Sequence, residues 1–330
     1  MDLADRFRGK RCLITGGLGF IGSNLAERLS GYGAWVTVVD SLIEGYGGNL
    51  FNVESIKDRV RINISDVRDQ SSTNWLVRGQ DYLFNLAGTL SHIDSMTDPF
   101  TDLEINCRSQ LSILESCRKF NPAVKVIFSG TRGQYGRAQY LPVDEKHPLC
   151  PTDTNGINNT AGEWYHILYN NVYGIRAVSL RLTNVFGPRH QMRHSRQGYL
   201  NWFVRLAIDG EKIQIYGDGA QLRDFNYVDD VVEALLLAGA VDSTNGEIYN
   251  LGSGAPVSVV DSARAVLEAA GTGQLDQVPF PEEKKKIEVG DYYADFGKFK
   301  QVTGWEPRVS FPEGLRRTVK YYRKNKEQYW

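Results

Sequence analysis

Cysteine is scarce in this sequence of 330 residues, and the cysteines that occur are far apart. The four are Cys12, Cys107, Cys117 and Cys150, and no two of them have the Cys-x-x-Cys spacing of zinc and thiol-redox sites. This pattern excludes a disulfide framework as the source of stability. We expect four reduced thiols in a cytoplasmic protein, with Cys12 buried in an apolar strand, and we predict no metal site.

Long apolar runs and an excess of charge of one sign are also absent. No stretch approaches the ~20 apolar residues of a transmembrane helix, and residues 1–10 contain no apolar core of a secretion signal, so we predict neither. The 38 basic and 39 acidic side chains nearly balance, which argues against a nucleic-acid or membrane-surface protein. The length allows one large folded domain or two of ordinary size.

What the sequence does contain is an alternation of short apolar runs with helix-like stretches. This alternation is typical of α/β proteins with a doubly wound parallel sheet that is covered on both faces. From about residue 184 the pattern changes to loops, short strands and helices. The predicted strands are 11–15, 34–40, 60–64, 81–86, 124–129 and 177–182, and the predicted helices include 21–29, 103–120 and 160–172.

Glycines cluster where the first predicted strand meets the first predicted helix. The segment Thr15-Gly-Gly-Leu-Gly-Phe-Ile-Gly22 has the glycine spacing of a tight turn that lets the backbone approach a pyrophosphate. The following helix N-terminus offers N–H groups to the phosphates. Asp40 ends the second predicted strand, where a carboxylate accepts hydrogen bonds from both ribose hydroxyls and repels a 2′-phosphate. The segment and Asp40 therefore predict NAD rather than NADP as the cofactor.

Further short motifs are spread over nearly the whole chain. They are Asp66-Val67, Asn85-Leu-Ala-Gly88, Asn106, Ser129-Gly-Thr131, Tyr135-Gly136, Arg181-Leu-Thr-Asn-Val-Phe-Gly-Pro188 and Arg223-Asp-Phe-Asn-Tyr-Val-Asp229. Together with the glycine segment they resemble the extended short-chain dehydrogenase/reductase family, which contains the NAD-dependent nucleotide-sugar epimerases and dehydratases.

The resemblance implies how the chain is divided and assembled. It implies an NAD-binding Rossmann domain over 1–183 with a returning segment at about 226–255. A smaller domain, mainly over 184–330, would bind the nucleotide sugar. The resemblance also implies a homodimer built through helices 99–120 and 158–173.

The resemblance also implies roles for individual residues. Asp66 and Val67 would flank the adenine, and Asn106 would lie under the nicotinamide half. Asn184 would hydrogen-bond the substrate, and Arg223 would bind the nucleotide pyrophosphate; a salt bridge from Arg223 to a neighbouring acid, Asp224 or Asp229, is the alternative. Tyr199 and Phe203 would line the nucleotide pocket, or could equally be core. The predicted cofactor set is Gly16, Gly19, Phe20, Ile21, Gly22, Asp40, Ser41, Asp66, Val67, Leu86, Ala87, Gly88 and Asn106, and the predicted substrate set is Asn184, Tyr199 and Arg223.

The catalytic positions depart from the family pattern. The family uses Ser or Thr together with Tyr-x-x-x-Lys, whose spacing places both side chains on one helix face. Thr131 occupies the Ser/Thr position, but alignment through Gly156 and Glu163 places Asn155 at the tyrosine position and Asn159 at the lysine position. No shifted alignment supplies the pair, because residues 147–211 contain no lysine. Asparagine can hydrogen-bond a hydroxyl but cannot act as a base near neutral pH.

Two outcomes of this departure stay open. Another group could supply the base, or the protein could bind NAD and a nucleotide sugar without turnover. Dehydratases of the family carry Asp-Glu after the catalytic Thr, and this chain has Arg132-Gly133 there, which argues against 4,6-dehydratase chemistry. Arg132, if it faces the pocket, could bind an anionic sugar such as a uronic acid; a solvated or ion-paired arginine is the favoured alternative. The candidate bases are Asp144, Asp153, Tyr135, Tyr140, His190 and His194.

The preferred hypothesis is an NAD-dependent nucleotide-sugar epimerase that works through a 4-keto intermediate with an atypical proton-transfer group. The alternatives are a non-catalytic NAD and nucleotide-sugar binding protein, or a reductase or oxidase on a related substrate. Ile287-Glu-Val-Gly-Asp291 resembles the family's Arg-Pro-Gly-Asp segment. Glu288 stands where an arginine often contacts the pyrophosphate, a role that Lys285 or Lys286 could take instead.

Overall fold

The computed structural model describes residues 2–280 and 289–330. Its strands are β1 (Arg11–Thr15), β2 (Trp35–Asp40), β3 (Val60–Ile64), β4 (Tyr82–Asn85), β5 (Lys125–Thr131), β6 (Arg176–Leu182), β7 (Asn184–Phe186), β8 (Lys212–Tyr216), β9 (Leu222–Arg223), β10 (Phe225–Tyr227), β11 (Ile248–Asn250), β12 (Val257–Ser258) and β13 (Gln274–Val278). Seven of them form one sheet in the order β11-β6-β5-β4-β1-β2-β3, and every neighbouring pair is parallel. All six predicted strands lie in this sheet, which confirms the α/β fold class.

Helices connect the strands, and local capping fixes their ends. The Asp153 side chain accepts the Gly156 N–H at the start of one helix, and Gly174, with φ of 71°, ends it in the left-handed conformation. The helices are α1 (Leu3–Phe7), α2 (Phe20–Gly31), α3 (Gln70–Leu76), α4 (His92–Thr97), α5 (Pro99–Leu103), α6 (Ser109–Phe120), α7 (Thr154–Tyr173), α8 (Tyr199–Ile208), α9 (Val228–Ala240), α10 (Val259–Ala270), α11 (Gly297–Thr303) and α12 (Phe311–Asn325).

Two predicted helices begin several residues later than the helices of the structure. The helix predicted at 103–120 belongs to a run that starts at Pro99 and contains a π-helical turn, Glu104–Arg108, between α5 and α6. The helix predicted at 160–172 is α7, which starts six residues earlier. Among the helices of the described residues, none combines the length and apolarity needed to cross a membrane.

The central strands of the large sheet are buried on both faces, and β1 shows why three consecutive residues in its middle are apolar. Cys12 and Ile14 enter the core that contains Leu25 of α2, whereas Leu13 enters the opposite core with Ile113 of α6. Successive side chains of a strand point to opposite faces, so a stretch that is covered on both sides favours apolar residues at consecutive positions. Cys12 is fully buried, as predicted.

After residue 184 the chain forms smaller units beside the sheet. In the described part, β7 pairs with β10, β8 with β13 and β9 with β12, and α8, α10 and α12 pack on one another. Between α9 and β12 the chain returns to the large sheet, where β11 pairs with β6. The domain boundaries stay a prediction.

Candidate functional site

A cavity of about 450 Å³ opens at the carboxyl ends of the central strands. Parallel strands present their following loops at this edge, where α/β proteins bind ligands. The cavity brings together twelve of the thirteen residues predicted for the cofactor, all three predicted catalytic residues and two of the predicted substrate residues. These lining residues are Gly16, Gly19, Phe20, Ile21, Gly22, Asp40, Ser41, Asp66, Val67, Leu86, Ala87, Gly88, Thr131, Asn155, Asn159, Asn184 and Tyr199.

The turn from β1 to α2 has room only for glycine. Gly16 has φ of 66°, and a Cβ added to it would lie 2.9 Å from the Leu86 carbonyl oxygen. A Cβ on Gly22 would lie 2.3 Å from the Gly16 carbonyl oxygen, so α2 packs directly on the turn. Gly19 precedes α2 and supplies no side chain to cap it. The backbone of this cradle fits a dinucleotide pyrophosphate.

Two predicted carboxylates line the cavity in different environments. Asp40 accepts the Leu18 N–H at 3.2 Å and the Leu42 N–H at 3.0 Å, and burial raises its pKa above the usual value. Asp66 is paired with Arg68 at 2.6 Å, and this hydrogen bond lowers the pKa of Asp66. The structure thus places Asp40 at the end of β2, in the position predicted for a ribose contact.

Asn106, the remaining predicted cofactor residue, lies behind the cavity wall. Its Oδ1 accepts the Thr89 N–H at 3.0 Å, and its Nδ2 donates to the Thr89 hydroxyl at 2.6 Å. The side chain therefore holds the loop after β4, and the residue is only 3% exposed. The π-helical turn that contains Asn106 is the kind of irregularity often found at functional sites.

A buried carboxylate, Asp102, gathers four polar side chains beneath the cavity. It accepts hydrogen bonds from the Thr89 hydroxyl at 2.6 Å and from the amides of Asn106 at 2.9 Å, Asn155 at 3.0 Å and Asn158 at 2.7 Å. Asp102 is 2% exposed. Its desolvated charge is compensated by this ring of donors, which we call the Asp102 cluster.

The two asparagines at the family's Tyr and Lys positions are held by the protein itself. Asn155 Nδ2 donates to the Thr89 carbonyl at 2.8 Å as well as to Asp102. Asn159 Nδ2 donates to the Asn155 carbonyl at 2.9 Å. Neither amide titrates near neutral pH, so the two residues can shape the cavity wall but cannot move a proton.

Thr131 ends β5 with its hydroxyl beside the cavity. The hydroxyl oxygen accepts the Gly133 N–H at 3.1 Å, and the Gln134 side chain accepts the Thr131 N–H at 3.0 Å. This reciprocal capping fixes the rotamer of Thr131. The hydroxyl proton is not used by these contacts and can be donated to a ligand oxygen.

Most candidate bases from the sequence have other structural roles. Tyr135 is buried, donates to Asn250 and accepts from Arg181; burial raises its pKa to about 12. Tyr140 donates to Asp144 at 2.7 Å, and this bond lowers the pKa of Asp144.

The two histidines on that list also differ in position. His190 lines the cavity with both ring nitrogens close to backbone carbonyls, and burial lowers its pKa. His194 Nε2 lies 3.1 Å from the Gly45 carbonyl. Asp153, the remaining candidate base, contacts His92, a residue that no sequence motif had indicated.

His92 is the first residue of α4. Its Nδ1 lies 2.6 Å from Asp153 Oδ2, although the two residues are 61 positions apart. The sequence contains only a weak indication that His92 belongs to the site. Ser91-His92 follows β4 by a few residues and so lies at the same edge of the sheet as the glycine turn. Nothing in the sequence pairs it with Asp153.

A second cavity, of about 870 Å³, adjoins the first. Phe203 and Arg223 line it, and Arg223 Nη1 donates to the Gly290 carbonyl at 2.6 Å. The acids weighed as partners of Arg223 bind elsewhere: Asp224 accepts from Ser253 and the Ala294 N–H, and Asp229 faces Arg28 and Arg317. Five residues line both cavities and mark their junction: His92, Arg132, Ser195, Arg196 and Tyr199.

The segment predicted to contact the pyrophosphate from the C-terminal side is only partly described. Lys285, Lys286 and Glu288 lie outside the described residues, which resume at Val289. Val289 lines the second cavity.

The sequence and the fold of the chain are similar to those of known proteins. The family described as "NAD dependent epimerase/dehydratase family" matches residues 12–252. A UDP-glucose 4-epimerase of Mycolicibacterium smegmatis is 32% identical over 96% of this chain and 100% of its own length.

Two solved structures are similar over nearly their whole length. A UDP-glucose 4-epimerase of Thermotoga maritima with UDP-glucose is 32% identical, with a TM-score of 0.87 over 96% of this chain and 99% of the other. A UDP-glucose 4-epimerase of Thermus thermophilus in complex with NAD is 32% identical, with a TM-score of 0.83 over 95% of this chain and 99% of the other.

Proposed function

Because the chain belongs to the NAD-dependent epimerase/dehydratase family and its cofactor is NAD, we propose that it is a nucleotide-sugar epimerase that works through a 4-keto sugar. When bound, NAD accepts a hydride from the sugar carbon and returns it. The observation that carries the proposal is the junction of two cavities. The glycine cradle, Asp40 and Thr131 line one cavity, and Phe203 and Arg223 line the other.

The chain's own residues would divide the work between the cavities. The cradle and Asp40 bind the dinucleotide, and Arg223 binds the diphosphate of the sugar nucleotide through charge-assisted hydrogen bonds. Asn184 and Tyr199 contact the substrate. Thr131 donates a hydrogen bond from its hydroxyl to the sugar oxygen and so polarises the C–O bond of the carbon that is oxidised.

The proton of the reacting hydroxyl must go to a group other than Asn155. Loss of a positioned general base typically costs ~10²–10⁴ in rate, so an active enzyme needs a replacement. Arg132 and Gly133 stand where a dehydratase of the family would have its Asp-Glu pair, which favours return of the hydride over elimination of water. A uronic acid is included among the candidate sugars because Arg132 lines both cavities.

The test is incubation with UDP-glucose, UDP-N-acetylglucosamine, UDP-glucuronate, dTDP-glucose, GDP-mannose and CDP-glucose, each carrying deuterium at C4. An epimerase yields a product inverted at C4 that retains the deuterium, with no net consumption of NAD. Loss of water identifies a dehydratase, and stoichiometric cofactor consumption identifies a reductase or oxidase. Binding in calorimetry with no product from any sugar contradicts the proposal and supports a silent binding protein.

Thr131→Val tests the role of the hydroxyl in the same assay. We expect kcat to fall by ~10²–10³, the usual cost of removing one preorganised donor, with NAD affinity unchanged. Thr154→Val is the matched control: its hydroxyl points to Met96 Sδ at 3.7 Å on the first turn of α7, and it should leave kcat unchanged. Equal rates for wild type and Thr131→Val would remove Thr131 from the mechanism.

A further inference from the structure

We propose that His92 is the group that takes and returns the proton of the sugar hydroxyl, and that Asp153 positions it. This inference rests on the proposed function, because it names the base that such a reaction needs. In this proposal the pair replaces the tyrosine that the family pattern would place in α7. His92 lies in a different helix, as the first residue of α4.

The position of His92 is the first argument. It is one of the five residues that line both cavities, so its ring borders the space where cofactor and sugar must meet. Its Cε1 lies 3.3 Å from where a Cβ of Gly133 would be, which places the ring against the turn that Thr131 caps. The side chain is 47% exposed, so it can reach a ligand.

The hydrogen bond to Asp153 is the second argument, because it sets the tautomer. Burial would raise the pKa of Asp153, but the hydrogen bonds from His92 and from the Gly156 N–H, together with the charge of Arg132, lower it below its usual value. Asp153 is therefore a carboxylate, which only accepts, and Nδ1 of His92 must donate. The proton-free nitrogen of neutral His92 is then Nε2, which forms no hydrogen bond within the described residues. A histidine oriented by a carboxylate in this way is a general base.

Three contacts fix the pair in place. Asp153 Oδ1 accepts the Gly156 N–H at 2.8 Å as the cap of α7, which leaves Oδ2 for His92. Ser95 donates to the His92 carbonyl at 2.8 Å and accepts the Asn155 N–H at 3.3 Å, so α4 is tied to α7. Asn155 thereby supports the backbone that carries the base.

Competing groups at the junction are less suited to the task. Arginine stays protonated, which leaves His92 and Tyr199 as the junction residues whose side chains could take the proton; His92 is favoured because Asp153 orients its ring. The charged groups around it are Asp153, Arg132, and the pair of Arg196 with Asp94 at 3.0 Å. Tyr199 is the remaining titratable residue of the junction, and the test includes it.

The proton transfer balances with the redox step. The O–H bond of the sugar hydroxyl breaks, the proton forms a bond to Nε2 of His92, and the oxygen's electron pair becomes the second bond of the carbonyl. The hydrogen on the same carbon leaves as hydride to the oxidised nicotinamide cofactor. On return of the hydride to the opposite face, Nε2 gives the proton back, and His92 ends neutral.

The experiment compares His92→Gln, Asp153→Ser, Tyr199→Phe and the control His194→Gln with wild type, using the sugar that wild type converts. We expect His92→Gln to lower kcat by ~10²–10⁴ while the affinities for NAD and for UDP, measured by calorimetry, change less than about threefold. Serine is a good helix cap but too short to reach His92, so Asp153→Ser should lower kcat with KM little changed. Tyr199→Phe should raise KM more than it lowers kcat, and His194→Gln should match wild type.

Two further readouts separate a chemical role from a structural one. Imidazole added to His92→Ala should restore part of the lost rate, and it should not stimulate Thr131→Val. Nitrogen NMR of the cofactor-free protein should show the Nδ1–H tautomer of His92 in wild type and its loss in Asp153→Ser.

The outcomes distinguish the two proposals. Turnover by wild type that persists in His92→Gln, or that is lost only in Tyr199→Phe, overturns the role of His92 and leaves the proposed function standing. Absence of turnover by wild type overturns both.

Discussion

Gly22 shows at the scale of one residue how the cofactor cradle depends on the absence of a side chain. An alanine Cβ there would lie 2.3 Å from the Gly16 carbonyl oxygen and 2.9 Å from Gly17 Cα. Both neighbours are backbone atoms of the phosphate-binding turn, so neither can yield without distorting it. We predict that Gly22→Ala abolishes measurable NAD binding in calorimetry and lowers the free energy of unfolding by about 1–3 kcal/mol, the usual cost of overpacking.

Gly31 at the other end of α2 is the matched control. A Cβ on Gly31 would meet nothing within 4 Å, and its φ is not in the left-handed region. Gly31→Ala should keep full NAD affinity and add about 0.4–1 kcal/mol by restricting the unfolded chain. If Gly22→Ala binds NAD as Gly31→Ala does, the turn is not the phosphate cradle.

At the residue scale, site features built from neighbouring residues could be predicted from the sequence, whereas contacts between residues far apart in the chain could not. The glycine turn was predictable because its members are consecutive and the strand before and helix after them are apolar. Pairing His92 with Asp153 was not, because 61 residues separate them and the contact exists only once α4 and α7 start at the same edge of the sheet. The position of Asn106 under the nicotinamide half stays a prediction, and only the structure shows that its side chain holds the loop after β4.

At the scale of elements, the strands were predicted well and the start of α7 was not. Strands covered on both faces contain short runs of consecutive apolar residues, and these runs identify them in the sequence. The first turns of α7 instead bury Asn155, Asn158 and Asn159, which have no apolar periodicity because two of them donate to Asp102. The start of a helix that packs on a buried carboxylate therefore cannot be recognised from the spacing of apolar residues.

His166 makes α7 sensitive to acid. It is fully buried, its Nδ1 donates to the Gly162 carbonyl at 2.7 Å, and its ring stacks on Phe128 of β5 at 4.4 Å. Burial lowers the pKa of His166 to about 4 from 6.5. Between these values the unfolded chain binds a proton that the folded chain does not, so this contribution is fully present above pH 6.5 and is lost as the pH falls towards 4.

We predict that wild type loses about 2 kcal/mol more stability between pH 7 and pH 5 than His166→Gln does. The measurement is urea unfolding of both proteins at the two pH values. His190, the other histidine whose pKa is lowered by burial, is present in both proteins, so its contribution cancels. Equal losses of unfolding free energy in the two proteins would show that His166 binds a proton at pH 5 in the folded state as well as in the unfolded chain.

At the scale of the whole molecule, residues from the large sheet and from the C-terminal units line the two cavities, so the proposed cofactor and sugar sites would use different parts of one chain. β11 returns to the large sheet after β7–β10 have left it. Hydrophobic contacts also continue from the sheet into the C-terminal part in a single core, which includes Ile14 and Phe186. This shared core favours a fixed geometry at the junction, as the proposed action of His92 and Thr131 on one sugar hydroxyl would require.

The outer side of α7 presents an exposed apolar surface. Ile157, Trp164, Leu168 and Val172 are spaced along one side of α7 and are about half exposed, as is Leu103 of the adjoining α5. Soluble monomers rarely expose a contiguous apolar stripe of this kind.

We propose that a second copy of the chain covers this stripe, because a helix pair on one face can pack on its own image about a twofold axis. Light scattering after gel filtration should give a dimer for wild type and a monomer for Trp164→Glu with Leu168→Lys, since buried charges would oppose the helix contact. Trp35→Glu, which changes an exposed tryptophan at the start of β2, should leave the dimer intact. The double variant should also keep its NAD affinity, because neither residue lines a cavity wall. A wild-type monomer, or a double variant that still dimerises, would show that this face is not the interface.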